Sequence, residues 1–235
     1  MADQSDSLTT ALHAVARFLL SDEDFDQTAR RVADLALEAF PAADFVGLSL
    51  LVDGAVVTAA WTDPFVLEID ADQHSAGEGP CLDAMDTRHV FQVDVTGEDE
   101  RWPLFGPRAA AKGISSVLSL PLAIDGTVGT LNLYARLGGA FRDTDHHLGE
   151  LFGAQVGVAL HNARIFSERA RLADQLNEAL LSRAVIDQAK GILMEREGVS
   201  ADEAFEMLRA ISRDENVKLR EVSLLLVRSV GRSGP

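Results

Sequence analysis

Cysteine is nearly absent from this chain of 235 residues: Cys81 stands alone. One thiol excludes an internal disulfide framework and fits a reducing compartment. No apolar run approaches the ~18 residues that a membrane-spanning helix needs. The opening Met1-Ala2-Asp3-Gln4-Ser5-Asp6 lacks the basic flank and apolar core of a secretory signal, so the expected location is the cytoplasm. There is no P-loop, GxGxxG, HExxH or CxxC pair. Positive charge is scarce, with 21 Lys and Arg against 37 Asp and Glu and a net charge of −16. A body this acidic cannot hold polyanions through bulk charge. Any nucleic-acid contact has to come from a local cluster of cations, and it would be weak and salt-sensitive.

The deficit is uneven. Residues 1–171 hold 12 Lys and Arg against 26 Asp and Glu, whereas 172–230 hold 8 against 11. With 47% hydrophobic and 25% charged residues, the chain has the composition of one large globular domain or two ordinary ones.

After a polar, frayed start at 1–7, helical spacing runs over 8–20 and 25–40 and stops at Pro41. Two β-type runs, 45–52 and 55–61, flank Asp53-Gly54, a strong hairpin signal. Residues 62–80, with Pro64, Gly77, Gly79 and Pro80, read as a long loop. A short helix over 81–87 and a strand over 89–93 follow, then a mixed helical segment over 98–112 interrupted by Pro103 and Pro107. A second hairpin spans 114–134 around Asp125-Gly126. Antiparallel strands with flanking helices, and no regular βαβ alternation, give an α+β sheet domain.

From Asp143 the pattern is helical for about fifty residues. Leu148, Phe152, Val156, Ala159, Ala163 and Phe166 form one stripe, and Leu172, Leu176, Ala179, Arg183 and Ile186 continue its spacing. A periodic helix this long belongs to a coiled coil or a packed dimer, so a homodimer is expected. Gly149, Gly153 and Gly157, four residues apart, would let another helix approach; the alternative is packing on the helix's own sheet.

Catalytic constellations are not evident. In Gly77-Glu78-Gly79-Pro80-Cys81 a thiol neighbours a carboxylate, but nothing fixes His74 or His89 as its base. A half-buried structural cysteine at a helix start is the reading. His146-His147 is too short a cluster for a metal, because adjacent helical residues point about 100° apart. Gly138-Gly139 is a plain loop. We therefore expect no catalytic residues, no metal and no resident cofactor.

The last sixty residues read as three short helices. Val185, Ile186, Ala189, Ile192 and Leu193 share one face of the first; Arg183, Asp187, Lys190 and Met194 lie on another. Gly191 costs a mid-helix position about 1 kcal/mol relative to alanine, tolerable where a helix or ligand backbone comes close. Gly198 ends this helix. Ser200 and Glu203 have capping-box spacing. The second helix carries a stripe of Ala204, Met207, Leu208 and Ile211. The third begins near Asn216 and buries Leu219, Val222, Leu226 and Val230. Arg213, Lys218 and Arg220 bracket the joint. On charge alone these cations read either as ordinary surface residues among Glu195, Glu197, Asp214 and Glu215, or as a phosphate-facing edge at helix starts.

Residues 8–166 resemble a GAF domain, on Ser116 to Leu122, the Asp-Gly turn, Val128 to Tyr134, Phe141 and the long helix through His161-Asn162-Ala163. The resemblance implies a sheet with a small-molecule pocket on one face, its ligand unidentified, and dimerisation through flanking helices. Residues 172–230 resemble an ANTAR domain, on Ile186-Asp187-Gln188-Ala189-Lys190-Gly191-Ile192-Leu193-Met194, Ala204-Phe205, Leu208-Arg209, Ser212, Asn216 and Lys218-Leu219. That family implies a three-helix module that binds hairpin loops of nascent RNA as a dimer and keeps a terminator from forming. Unpaired loops suit a small cationic patch, because their bases are splayed and their backbone curves sharply.

Carried over, the resemblance points to Arg183, Lys190, Gly191, Arg213, Asn216, Lys218 and Arg220 as RNA contacts. Ser223 departs from the family's usual alanine; its hydroxyl can bond back to the i−4 carbonyl. Exposed aromatics for base stacking are scarce. The whole reads as a GAF-like sensor (8–166) joined by a helix to an ANTAR-like RNA-binding domain (167–231): a signal-responsive regulator, not an enzyme. The alternatives are a DNA-binding helical regulator, which would need base-reading side chains on the third helix, and a thiol-dependent reductase using Cys81.

Overall fold

The computed structural model describes residues 10, 15, 24–124, 127–144 and 146–230. The helix expected over 8–20, the Asp125-Gly126 turn and the side chain of Val230 lie wholly or mostly outside them. The chain divides into two compact units, Met1–Ser167 and Glu168–Pro235.

In the first unit, Asp24 caps helix α1 (Phe25–Ala39) by accepting from the Gln27 N–H. Val32, Ala33 and Ala36 are buried on α1. Strands β1 (Phe45–Val52) and β2 (Ala55–Trp61) meet at Asp53 and Gly54, with φ of 51° and 82°. Left-handed backbone at both turn positions matches the twist of the paired strands, which is why Asp-Gly is found there.

The sheet has the order β2-β1-β5-β4-β3, with β3 at Phe91–Val93, β4 at Ser116–Ile124 and β5 at Thr127–Ala135. Every neighbouring pair is antiparallel. Alternation sends Leu48, Leu118, Leu120, Leu131 and Leu133 into one core with Val32, Ala36, Phe152 and Val156. Phe45, Val117 and Tyr134 face the other way, into a second core with Val66, Ile69, Trp102 and Phe105.

The expected loop over 62–80 is mostly helix. Helix α2 spans Phe65–Ala76. Its inward face carries Asp70 and Gln73 beside Val66 and Ile69, all buried, so the apolar periodicity that signals a helix is broken by polar residues. Helix α3 (Pro80–Thr87) starts with proline in its first turn, and helix α4 (Phe105–Ala111) takes Pro107 near its start.

Helix α5 runs 52 residues, His146–Glu197, and supplies the last element of one unit and the first of the other. Phe152, Val156, Ala159 and Ala163 of its stripe are buried. A Cβ at Gly149 would meet Leu120 at 3.0 Å, and one at Gly153 the Pro121 carbonyl oxygen at 2.8 Å. At these two positions the glycines admit the strand β4, not another helix.

In the second unit α5 is followed by α6 (Ala201–Asp214) and α7 (Leu219–Val230). Ala189, Leu193, Ala204, Leu208 and Val222 form its core, with Ile186, Leu219 and Leu226 packed against it. The capping box forms, with the Glu203 N–H donating to Ser200 Oγ and the Ser200 N–H to Glu203 Oε2. Ser223 Oγ donates to the Leu219 carbonyl at 2.8 Å, the back-bond its position allows. Two expectations fail. Met207 and Ile211, placed on the buried stripe of α6, are 37% and 43% exposed, because the small unit covers only Ala204 and Leu208 on that helix. The third helix begins at Leu219, since Asn216 takes a left-handed φ of 52°. Among the described residues no helix is long and apolar enough to cross a membrane.

Candidate functional site

In the first unit a buried polar network lies under α2 and α3, on the sheet face carried by Ser49, Ser119, Thr130, Asn132 and Tyr134, all fully buried. Donors converge on one carboxylate. Thr58 Oγ1 donates to Asp70 Oδ2 at 2.6 Å, Ser49 Oγ to the same oxygen at 3.3 Å, and Tyr134 Oη to Oδ1. Ser119 donates to Asn132 Oδ1, and Asn132 Nδ2 to Ser49, extending the network across the sheet. Burial pushes the Asp70 carboxyl above its ordinary value, and the donors from Thr58, Tyr134 and Ser49 only partly offset that. Burial also pushes the Tyr134 hydroxyl well up, with the nearby Asp70 adding to it.

Cys81 lies at the edge of this network and is fully buried, not half-buried as expected, because α3 starts directly over the polar sheet face. Its N–H donates to Gln73 Oε1 at 3.0 Å and its carbonyl accepts from Thr130 at 3.2 Å. Burial first, then the negative Asp70, pushes the thiol up to about 12. Such a thiol stays protonated at neutral pH and is a poor nucleophile. The neighbouring Glu78 serves the fold: it accepts from the Phe105 N–H at 3.1 Å at the start of α4. Burial lowers His74, and the nearby Asp70 only partly offsets that. Among the described residues no group of three or more His, Cys, Asp or Glu could hold a metal. His146 pairs with Gln92 at 2.6 Å.

In the second unit an open groove of about 440 Å3 runs between α5 and the start of α6, lined by Ala179, Ser182, Arg183, Ile186, Asp187, Lys190, Asp202 and Phe205. Arg183 and Lys190 are brought together here because they lie two helical turns apart. Asp187 stands between them, 3.9 Å from Arg183 Nε and 3.5 Å from Lys190 Nζ. The Arg183 side chain is 84% exposed and that of Lys190 only 24%. Lys190 Nζ also lies 6.0 Å from the centre of the Phe205 ring.

The other expected contacts lie outside this groove. Gly191 is exposed on α5 and a Cβ there would meet nothing within 4 Å. Arg213, Asn216 and Lys218 are exposed at the α6–α7 joint. That joint is fixed by Ser212, whose Oγ donates to the Val217 carbonyl at 2.6 Å. Arg220 is committed elsewhere, donating to Glu178 Oε1 at 3.1 Å and bracing α7 against α5. Sequence reasoning missed Asp187 and Phe205 as members of the site. For Asp187 the signal was present, since it sits at i+4 from Arg183 and i−3 from Lys190. For Phe205 no local pattern tells a ring at a groove from one in a core.

Residues 22–161 match the GAF domain family and residues 174–227 match the ANTAR domain family. Among solved structures, the first unit is similar to the reduced form of fRMsr of Staphylococcus aureus, at 17% identity and a TM-score of 0.53 over 65% of this chain and 94% of that one. It is similar to a structure described as that of the GAF domain, at 12% identity and a TM-score of 0.53 over 66% and 88%. It is also similar to the GAF domain of an Acinetobacter phosphoenolpyruvate-protein phosphotransferase, at 14% identity and a TM-score of 0.51 over 69% and 95%. At these identities the likeness is one of fold. No curated protein matches the chain in sequence.

Proposed function

We propose that this chain, which belongs to the GAF domain family and carries an ANTAR domain behind it, is a signal-responsive RNA-binding regulator. In this reading it acts as a transcription antiterminator that holds hairpin loops of nascent RNA. The observation that carries it is the ANTAR match over 174–227, whose folded form gathers Arg183 and Lys190 in one groove. With a net charge of −16, polyanion binding has to come from local cations such as these. Arg213, Asn216, Lys218 and Gly191 are assigned as further contacts. Arg220 is a weaker one, since contact would require it to leave Glu178.

A homodimer through α5 belongs to this function. We take its seam to lie at the exposed Leu172, Leu176 and Leu180, since Phe152, Val156, Ala159 and Ala163 are buried in their own unit. Two linked modules on two loops gain affinity through effective concentration. The signal enters at the polar sheet face around Asp70, and the protein works in the cytoplasm without catalysing a reaction. A DNA-binding reading is disfavoured by α7, which has no Asn or Gln, pairs Arg220 with Glu178 and leaves Arg228 as its one exposed arginine. The test is a gel shift with a tandem-hairpin RNA. The Arg183→Ala, Lys190→Ala double variant loses at least tenfold in affinity; unchanged binding refutes the assigned surface.

A further inference from the structure

Strand β2 ends the sheet on one side, and its sequence does nothing to close that edge. A row of free N–H and C=O groups pairs with any strand that approaches, so sheets guard their edges with lysine, proline, charge or brevity. The opposite edge, β3, has such protection. It is three residues long, and its Gln92 carbonyl accepts from Arg101 Nη2 at 2.7 Å. Strand β2 is Ala55-Val56-Val57-Thr58-Ala59-Ala60-Trp61, without proline, glycine or charge. In a chain of net charge −16, residues 54–62 carry no charged side chain. Val57 and Trp61 are 42% and 40% exposed, and Leu51 and Val52 are exposed at the hairpin end.

The register fixes which backbone groups are free. A two-residue turn closes on Val52 and Ala55, which exchange hydrogen bonds, and alternate pairs repeat the exchange, so Leu50 bonds Val57. Val56 and Thr58 therefore point N–H and C=O away from β1. Among the described residues no backbone partner meets them there. The register slips between Leu48 and Ser49, which leaves Ala59 as the extra residue of a bulge and ends the regular edge.

We propose that β2 pairs antiparallel with β2 of a second copy of this chain, about a two-fold axis at Val57. The free groups are self-complementary around that residue. Val56 of each copy exchanges both of its bonds with Thr58 of the other, an isologous contact. Val57 then faces its own counterpart in a non-hydrogen-bonded pair, where Cα atoms lie only about 4.5 Å apart and the side chains touch. The occupant is a second copy because the strip is uncharged. It offers no ion pair to a basic or an acidic strand, yet meets itself without repulsion. An edge this short belongs to the contacts below about 1,200 Å2 that are weak alone. It therefore acts between chains already held at high local concentration, and it joins dimers formed through α5 into larger assemblies. Nothing in it depends on the RNA-binding reading.

The test traps the pair as a disulfide in the full chain, with glutathione disulfide as oxidant. Cys81 is buried and does not compete. Val57→Cys forms a covalent dimer roughly tenfold faster than Ala55→Cys, because only at Val57 do the Cα atoms fall within the ~4.4–6.8 Å that a disulfide spans. The two Ala55 positions lie about 14 Å apart along the paired strands. Val56→Pro added to Val57→Cys removes an outward N–H and spares the β1 ladder, so the rate falls to that of Ala55→Cys. Should the proline unfold the chain, the two cysteine positions decide alone. In sedimentation velocity the wild type forms larger species than Val57→Lys, which sets like charges against each other across the axis. Equal cross-linking at Ala55→Cys and Val57→Cys overturns the pairing, and so does a wild type that sediments identically to Val57→Lys. Either result leaves the seam on α5 and the RNA-binding reading standing.

Discussion

Replacing Gly191 with alanine separates folding from binding. Glycine in a helix interior is about 1 kcal/mol less favourable than alanine. At Gly191 nothing offsets the gain, because a Cβ there meets no atom within 4 Å and so adds no overpacking. The substitution is therefore expected to stabilise the second unit by about 1 kcal/mol, raising its melting transition by about 4–8 °C for a unit of this size. Differential scanning calorimetry of the whole chain reads that transition. If Gly191 is kept for close approach of an RNA backbone, the same variant binds a tandem-hairpin RNA more weakly in a gel shift. Gly153→Ala is the counterpart. Its Cβ would lie 2.8 Å from the Pro121 carbonyl oxygen, a backbone atom that cannot step aside alone. Overpacking of about 1–3 kcal/mol then meets or exceeds the helix gain of about 1 kcal/mol, and the first unit melts lower. A lower melting transition for Gly191→Ala refutes the reading of an open face. A higher one for Gly153→Ala refutes the packing of α5 on β4. Stabilised Gly191→Ala with unchanged RNA affinity removes Gly191 from the contact surface.

Three further outcomes follow from the buried network and the cap. The Cys81 thiol, pushed up to about 12, stays unmodified by iodoacetamide at pH 8 in the native protein and reacts readily in urea; fast native labelling contradicts its burial. Asp70 binds its proton more tightly folded than unfolded, so its contribution to stability is greatest in acid and falls as pH rises above the ordinary carboxyl range. Urea titrations from pH 4 to 7 should show that fall relative to Asp70→Asn, and parallel profiles for the two proteins would contradict it. Ser200→Ala removes the side-chain cap of α6 and lowers the stability of the second unit by about 1 kcal/mol in the same urea assay, whereas an unchanged midpoint would show the cap to be idle.

The elements visible in the sequence were those whose signals are local. Asp53-Gly54, the Ser200–Glu203 box and the Ser223 back-bond each depend on residues within four positions, and each is found. Helix α2 was hidden because its inward face is half polar: Asp70 and Gln73 are satisfied by Thr58 and Tyr134 from distant strands, which no local window contains. The glycine spacing on α5 was legible as close approach, but not which surface approaches; Pro121 supplies it from a strand some thirty residues earlier. Arg183 and Lys190 were legible as one helical edge. The groove was not, because Phe205 reaches it from the next helix.

The strand order β2-β1-β5-β4-β3 also sets an order of events. Hairpins β1–β2 and β4–β5 close between neighbouring segments, so their loop entropy is small and they form early. Joining them through β1 and β5, where Phe45 pairs with Tyr134, closes the long intervening stretch that contains α2, α3, β3 and α4. That step carries the high contact order of the domain and limits its folding rate. Ser49 and Thr58 belong to the first hairpin, but Tyr134 meets Asp70 only after the two hairpins have docked, so that part of the network is assembled on the far side of the folding barrier. Tyr134→Phe, which removes that hydroxyl, accordingly changes the unfolding rate while leaving the refolding rate nearly untouched.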